Sequence, residues 1–261
     1  MTRFAPLSLR LVQPEWADVV PSPAPDSRSA TQRVDYVRRH PDSYLRVTGA
    51  GSEDPDTAPP TAEVLHQRQR SALDRLLGRG AFGATQPSRF YLYELDQRDP
   101  DGNTIHRQSG LVGGIAVADY ETGELKRHEH IRSDRARQLE AHLAGIGFQS
   151  SPVAAAHRPN TAVTAAGEVA KQQPPIVEAH GEDGLVQRVW AVDDPDIGGL
   201  LADSPTYLID GHHRAAAAAL WRSSAEGNPA ADWLLAAVFS THELDNHAFH
   251  RVLRGRSLDE V

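Results

Sequence analysis

Residues 207–221, YLIDGHHRAAAAALW, read as a short apolar strand, a tight turn at Asp210–Gly211 and an alanine-rich helix. Alanine is the strongest helix former, and Gly211 allows the sharp change of direction that a strand-to-helix turn requires. The turn poses a charge problem. A helix N-terminus carries partial positive charge, which disfavours cations, yet His212, His213 and Arg214 stand there. A bound anion resolves the conflict. The first-turn N–H groups and the aligned dipole favour negative charge, Arg214 adds a forked contact suited to phosphate, and the imidazoles add ring N–H donors. The alternative is that Asp210 caps the helix and the histidines face solvent.

Upstream, KRHEH (126–130) is followed by Arg132 and Arg135. If this stretch is extended, His128 and His130 share one face and Glu129 takes the other. Cations beside Glu129 keep it ionised, whereas burial would raise its pKa toward the general-base range. His-x-His is also a workable metal-ligand spacing on a strand. A solvated charged turn ahead of a helix is the plain alternative.

The remaining pattern is a mixture of helices and hairpins. TQRVDYVRRHP predicts a short helix stopped by Pro41, SYLRVT (43–48) a strand, and 49–60 a loop. Thr61 to Leu77 has apolar residues at helical spacing, a threonine cap and a glycine stop at Gly78. RFYLYELD (89–96), DPDGN and HRQSGLVGGIAVADY (106–120) predict a hairpin, closed by a turn at ETGE. The glycines of GLVGG (110–114) lack a phosphate-loop lysine and read as hairpin packing or a bulge. The second half of 125–147 is helical, capped near Ser133 or Asp134, and SSPVAAAHRP suggests a strand near the surface. PPIVEAHGEDGLVQRVWAV predicts a second hairpin turning at Asp183–Gly184, and DPDIGGLLAD a short helix. DWLLAAVFS has strand length, with a buried helix still open. Trp190, Trp221 and Trp233 read as core; His242, His247, His250 and Arg251 as surface or core-edge groups. The expected class is α+β: an irregular N-terminal segment (1–60) with a short helix and strand, and a core at 61–261, in one continuous domain.

The bulk numbers narrow the functions. The chain has 261 residues, 39% apolar and 24% charged, and a net charge of −8 with both signs interspersed. That balance, without a dense basic stripe, argues against nucleic-acid binding. No apolar run reaches the roughly 18 residues of a membrane span, and the start shows no signal-type pattern, so the cytoplasm is the expected location. Cysteine is absent, which removes thiolate nucleophiles, disulfides and cysteine-held zinc.

KRHEH with its arginine-bearing helix, then SPV, then DGHHR entering an alanine-rich helix, then HRVL near the end, together resemble the bacterial domain-of-unknown-function family 1015. HPDSYLRVT and GGIAVADYETGELKRHEH resemble that family's earlier segments, so the similarity runs from about Arg38 to Arg254. The family in turn resembles the ParB/sulfiredoxin superfamily, which implies a mixed sheet with flanking helices and additional hairpins. It also implies a Gly-x-x-Arg motif that binds nucleotide phosphates; Gly211 to Arg214 match it. Relatives in the superfamily include kinases that phosphorylate free L-serine from ATP or ADP, with a glutamate ahead of the motif as general base; Glu129 matches by order. The family's early PPYD is PAPD here (Pro23–Asp26), and the chain stops soon after HRVL, as a shortened member would. Sulfiredoxin chemistry needs a cysteine where His212 and His213 stand.

The expectation is therefore a small-molecule kinase using ATP or ADP with Mg²⁺. Glu129, His128 and Asp210 form the catalytic set. Gly211, His212, His213, Arg214, Lys126 and Arg127 hold the nucleotide phosphates, and His130, Arg132 and Arg135 hold a serine-like hydroxy amino acid. Asp210 is also the candidate for the metal or its waters, and a homodimer stays open. Two alternatives remain: a ParB-like nucleotide switch acting on a partner without turnover, and a metallohydrolase using His128, His130 and His212 or His213.

Overall fold

The computed structural model describes residues 1–23, 27–49, 60–182, 184–202, 204–225 and 227–244. The 50–59 part of the expected loop, His247, His250, Arg251, most of PAPD and Asp183 of the hairpin turn lie outside these residues.

Helices form where caps and apolar spacing agree. Ser29 and Gln32 make a reciprocal capping box at α1 (Ala30–Arg39), and the Thr61 side chain accepts from Val64 N at α2 (Ala62–Gly78). The expected hairpin is present as β2 (Phe90–Arg98) and β3 (Thr104–Ala116), turning through Gly102 at φ 87°. The end of the predicted second strand instead coils into the short α3 (Val117–Glu121), with Val117 and Tyr120 buried. SYLRVT is a single 3-10 turn at Tyr44–Arg46 and no strand. The Ser43 hydroxyl accepts from Leu45 N, and Leu45 and Val47 are both fully buried against neighbouring helices.

Further along come α4 (Ser133–Ile146), β4 (Val153–His157), α5 (Thr161–Ala170), β5 (Val177–His180) and β6 (Leu185–Val192). The N-cap residue of α4 is Arg132, one before the expected Ser133, and no side chain caps it. Then follow α6 (Ile197–Leu200), β7 (Tyr207–Asp210), α7 (His212–Ser224) and β8 (Trp233–Ser240). DWLLAAVFS is therefore a strand. The α5 helix was not predicted; Asn160 caps it, its side chain accepting from Ala162 N and Val163 N.

The strands make one mixed eight-stranded sheet in the order β5-β6-β2-β3-β8-β4-β7, with β1 (Phe4–Ala5) also paired to β3. All pairs are antiparallel except β4 with β8. SSPVAAAHRP lies in the interior: β4 sits between β8 and β7, with Val153 and Ala155 fully buried. The GLVGG glycines are packing devices. A Cβ on Gly113 would meet Phe4 Cζ at 2.7 Å and Ala5 O at 2.8 Å, so only glycine lets β1 lie there.

The main core joins Leu92, Leu111, Trp190 and Leu234 of the sheet to Val163 of α5 and Ala215 and Ala218 of α7. A second cluster, with Leu73, Leu76, Val47 and Ile146, packs α2 against α4 and the N-terminal segment. Among the described residues no helix is long and apolar enough to cross a membrane.

Two features of this frame position the site. Leu125, fully buried, plugs the core after α3. Lys126 then lies parallel to β7, its N–H donating to Thr206 O at 2.9 Å while Leu208 N donates to Lys126 O at 2.8 Å. These two bonds carry 127–132 to the mouth of α7.

Candidate functional site

The strand-to-helix turn is built as read from the sequence. Gly211 is left-handed, at φ 90° and ψ 25°. A Cβ there would also meet Val153 Cγ1 at 2.8 Å and Arg214 Cζ at 3.0 Å. Asp210 does not cap the helix: no side chain does, and no acidic residue lies in its first turn. Helices α1, α2 and α5 by contrast begin on the capping side chains of Ser29, Thr61 and Asn160. The first-turn donors of α7 are thus left to solvent or to a ligand.

Asp210 pairs instead with Arg214, one turn on. The other guanidinium nitrogen of Arg214 donates to Ser151 Oγ at 2.9 Å, Ser151 O at 3.2 Å and Pro152 O at 2.5 Å. Arg214 therefore ties the start of α7 to the entry of β4. Ser151 and Pro152 were missed in sequence reasoning except as an SPV motif; carbonyl acceptors leave no residue signature.

His212 is 2% exposed. Its Nδ1 lies 3.1 Å from Glu129 Oε2, yet neither ring nitrogen makes an aligned hydrogen bond. The His128 ring meets it edge-on, centroids 4.5 Å apart. Burial, then the neighbouring His128, push the His212 pKa below its ordinary value, with Glu129 and Asp210 opposing. The expected division of faces at KRHEH fails for this reason: a bend at Glu129 brings both His128 and Glu129 onto His212. Glu129 keeps about half its side chain exposed, 53%, so it is reachable from solvent and is not the buried carboxyl the sequence left open.

His213 Nε2 accepts from Arg132 N at 3.1 Å, which places the proton of the neutral ring on Nδ1. The surrounding cations are engaged elsewhere. Lys126 Nζ donates to Gly123 O at 2.9 Å, Arg127 stacks 4.7 Å over Tyr120, and Arg132 pairs with Asp134 at 2.7 Å. His130 and Arg135 are exposed residues flanking the bend. The structure thus gathers Glu129, His128, Gly211, His212, His213, Asp210 and Arg214, and sets Lys126, Arg127 and the Arg132 side chain at the margin. Among the described residues no three His, Asp or Glu side chains are arranged to hold a metal ion.

The arrangement can receive an anion at the open end of α7 and, beside it, offers two solvent-reachable carboxylates, Glu129 facing His212 and Asp210 paired with Arg214. No curated protein and no solved structure matches the chain. The family model described as "Protein of unknown function (DUF1015)" matches residues 6–261, nearly the whole sequence, and the chain belongs to that family.

Proposed function

We propose that the protein is a nucleotide-dependent small-molecule kinase of ParB/sulfiredoxin-like type, transferring a phosphoryl group from ATP or ADP to the hydroxyl of a serine-like amino acid. The observation that carries this reading is His212: a buried ring behind an uncapped helix start, whose Nδ1 faces an exposed glutamate at 3.1 Å while neither nitrogen makes an aligned hydrogen bond. A buried polar group without a partner costs about 1–3 kcal/mol, and a phosphate at the turn supplies the missing partner. Gly211 is needed at the turn, because a Cβ there would meet Val153 Cγ1 and the Arg214 guanidinium that the phosphate is to engage.

In this scheme the first-turn N–H groups and His212 hold the phosphates. An incoming phosphate exchanges with Asp210 for Arg214, one anion for another. Glu129 takes the proton of the acceptor hydroxyl as its oxygen bonds to phosphorus and the bond to the departing nucleotide oxygen breaks. Mg²⁺, which neutralises phosphate charge in such transfers, fits here only as a companion of the nucleotide. Asp210, released from Arg214 by that exchange, would be the carboxylate offered to such an ion, and phosphates and waters would supply its other ligands.

A second reading, a ParB-like switch that binds nucleotide and engages a partner without turnover, is favoured by the tie from Arg214 to Ser151 and Pro152, which a ligand would release. The metallohydrolase reading gains no support from the placement of His128, His130, His212 and His213.

The test is a thermal-shift series with ATP, ADP, CTP and pyrophosphate on wild type and Arg214→Ala, followed by assay for phosphoserine with Mg²⁺ and L-serine. At 100 times Kd a ligand stabilises by about 2.7 kcal/mol; one nucleotide is expected to do so and to lose most of that effect in the variant. Binding without phosphoserine selects the switch. No stabilisation by any of the four removes both readings.

A further inference from the structure

The strap that carries Glu129 is fastened at two points. Lys126 holds one end through its backbone bonds with Thr206 O and Leu208 N, at 2.9 and 2.8 Å. At the other end the Arg132 N–H donates to His213 Nε2 at 3.1 Å. Between these anchors the backbone of 127–131 makes no backbone–backbone hydrogen bond with any described residue. Side chains supply the rest: Arg127 lies over the Tyr120 ring, and Glu129 Oε2 stands 3.1 Å from His212 Nδ1 without an aligned bond. A half-exposed carboxylate held so loosely takes its position from its backbone, and that backbone takes its own from the two anchors.

The His213 anchor fills a gap in α4. Arg132 is the N-cap residue of that helix, and in a capping box a Glu or Gln at the third helical position accepts from the N-cap N–H. Here the third position is Arg135, whose side chain has donors only. His213 supplies the missing acceptor from a different helix, α7. Its Nε2 is thus spent on the strap and has no proton for a phosphate. Both groups lie near the surface, where water competes for each of them, so the bond sets geometry and adds little to stability.

We propose that His213 is a positioning residue: it fixes Arg132 and, through the strap, sets Glu129 against His212 at the mouth of α7. The use made of Glu129 there rests on the kinase reading; the fastening of the strap does not. A base displaced by about 1 Å loses on the order of a hundredfold in rate, whereas phosphates held by the first-turn N–H groups and Arg214 are untouched by that displacement. His213 therefore belongs with the base, and not with the phosphate ligands among which the Gly-x-x-Arg motif sets it.

The experiment compares the whole wild-type protein with His213→Leu, which removes the acceptor, and with His213→Gln, whose Oε1 stands as many bonds from Cβ as Nε2 does. Hydrogen exchange of the Arg132 amide is followed by NMR, thermal stabilisation is measured with ATP and ADP, and kcat and KM are measured for phosphoserine formation with Mg²⁺ and L-serine. In His213→Leu the Arg132 amide should exchange about tenfold or more faster. There kcat should fall about tenfold or more, with the KM for nucleotide within about twofold of wild type and nucleotide stabilisation unchanged. His213→Gln should restore both exchange and kcat. Unaltered Arg132 exchange in His213→Leu overturns the proposal, as does an unchanged kcat or a failure of His213→Gln to restore it. Loss of nucleotide stabilisation in His213→Leu also overturns it, making His213 a phosphate ligand. Wild type that forms no phosphoserine overturns the kinase reading alone, and the Arg132 exchange then still decides whether His213 fastens the strap.

Discussion

Asp96 and His212 are buried to the same degree, at 0% and 2% exposure, but the protein treats them oppositely. Asp96 accepts from Thr104 Oγ1 at 2.8 Å and from Arg98, Arg107 and Arg188 at 3.1–3.2 Å. Beside it, Glu94 meets Lys171 at 3.0 Å and Arg188 at 3.2 Å, and Arg188 continues to Glu178. This ionic layer on β2, β3, β5 and β6 extends the apolar core under α5, and its charges are mutually satisfied. His212, at the other end of the molecule's β-order, has neither ring nitrogen aligned with a partner. A saturated network holds a fold together; a buried group left open at a helix mouth has spare capacity for a ligand.

The comparison breaks first at Asp96. Asp96→Ala removes the shared partner of three guanidinium groups, leaving Arg107 and Arg188 only Glu94 and Glu178. Removing one member of a buried ionic cluster costs about 3–5 kcal/mol, and urea denaturation should show a loss of that size with the nucleotide response of the folded fraction intact. A loss below about 1 kcal/mol would mean that the layer contributes little to stability.

Gly211→Ala comes next. A non-glycine residue at φ 90° is strained, and the new Cβ meets Val153 at 2.8 Å. The expected cost is about 1–3 kcal/mol, with nucleotide stabilisation lost as well because the new Cβ pushes the Arg214 guanidinium from its place. A variant of normal stability that still responds to nucleotide would show that the turn does not need its left-handed backbone.

How much of this was legible follows from what each signal can encode. The β7–α7 turn was readable because strand, glycine and alanine run each state one local preference, and all agree. Glu129 beside it was readable by order, but its bend was not, since alternation presumes a straight strand. The ionic layer was invisible. Period-two alternation in YLYELDQR separates two faces without saying which is covered, and the natural inference puts Glu94 and Asp96 in water. In the fold they are the more buried face, while Tyr93 and Leu95 are only half covered. The α5 helix was missed because its alanines, threonines and glycine carry no strong apolar stripe, and SYLRVT because a one-turn helix has no period to detect.

His212→Leu sharpens the contrast by its smallness. If the ring is held for a ligand and not for the fold, replacing it with an apolar side chain removes an unsatisfied buried group, and stability should stay within about 1 kcal/mol of wild type or rise. Nucleotide stabilisation should fall at the same time. A loss above about 2 kcal/mol would assign His212 a packing role and return it to the company of Asp96.

The smallest effect separates the two regions by pH. Burial holds the His212 pKa below its unfolded value of about 6.5, so the unfolded chain binds the proton more readily. Its stabilising contribution is complete above about pH 6.5 and declines as pH falls toward the folded value. His142 and His157, also lowered by burial, act in the same window. For Asp96, burial alone would raise the pKa, but the hydrogen bonds from Thr104, Arg107, Arg98 and Arg188 outweigh it and hold the carboxyl well below the usual range. Its contribution is complete above the unfolded value of about 3.9 and is lost only in stronger acid. Urea denaturation across pH should therefore show two acid limbs. His212→Leu should make the limb just below pH 6.5 shallower and leave the one below pH 4 unchanged. Asp96→Asn, at lower overall stability, should do the reverse, because the remaining histidines still titrate while the deepest carboxylate is gone. A single limb altered equally by both substitutions would mean that the two regions unfold on protonation as one coupled electrostatic unit, contrary to their separate networks.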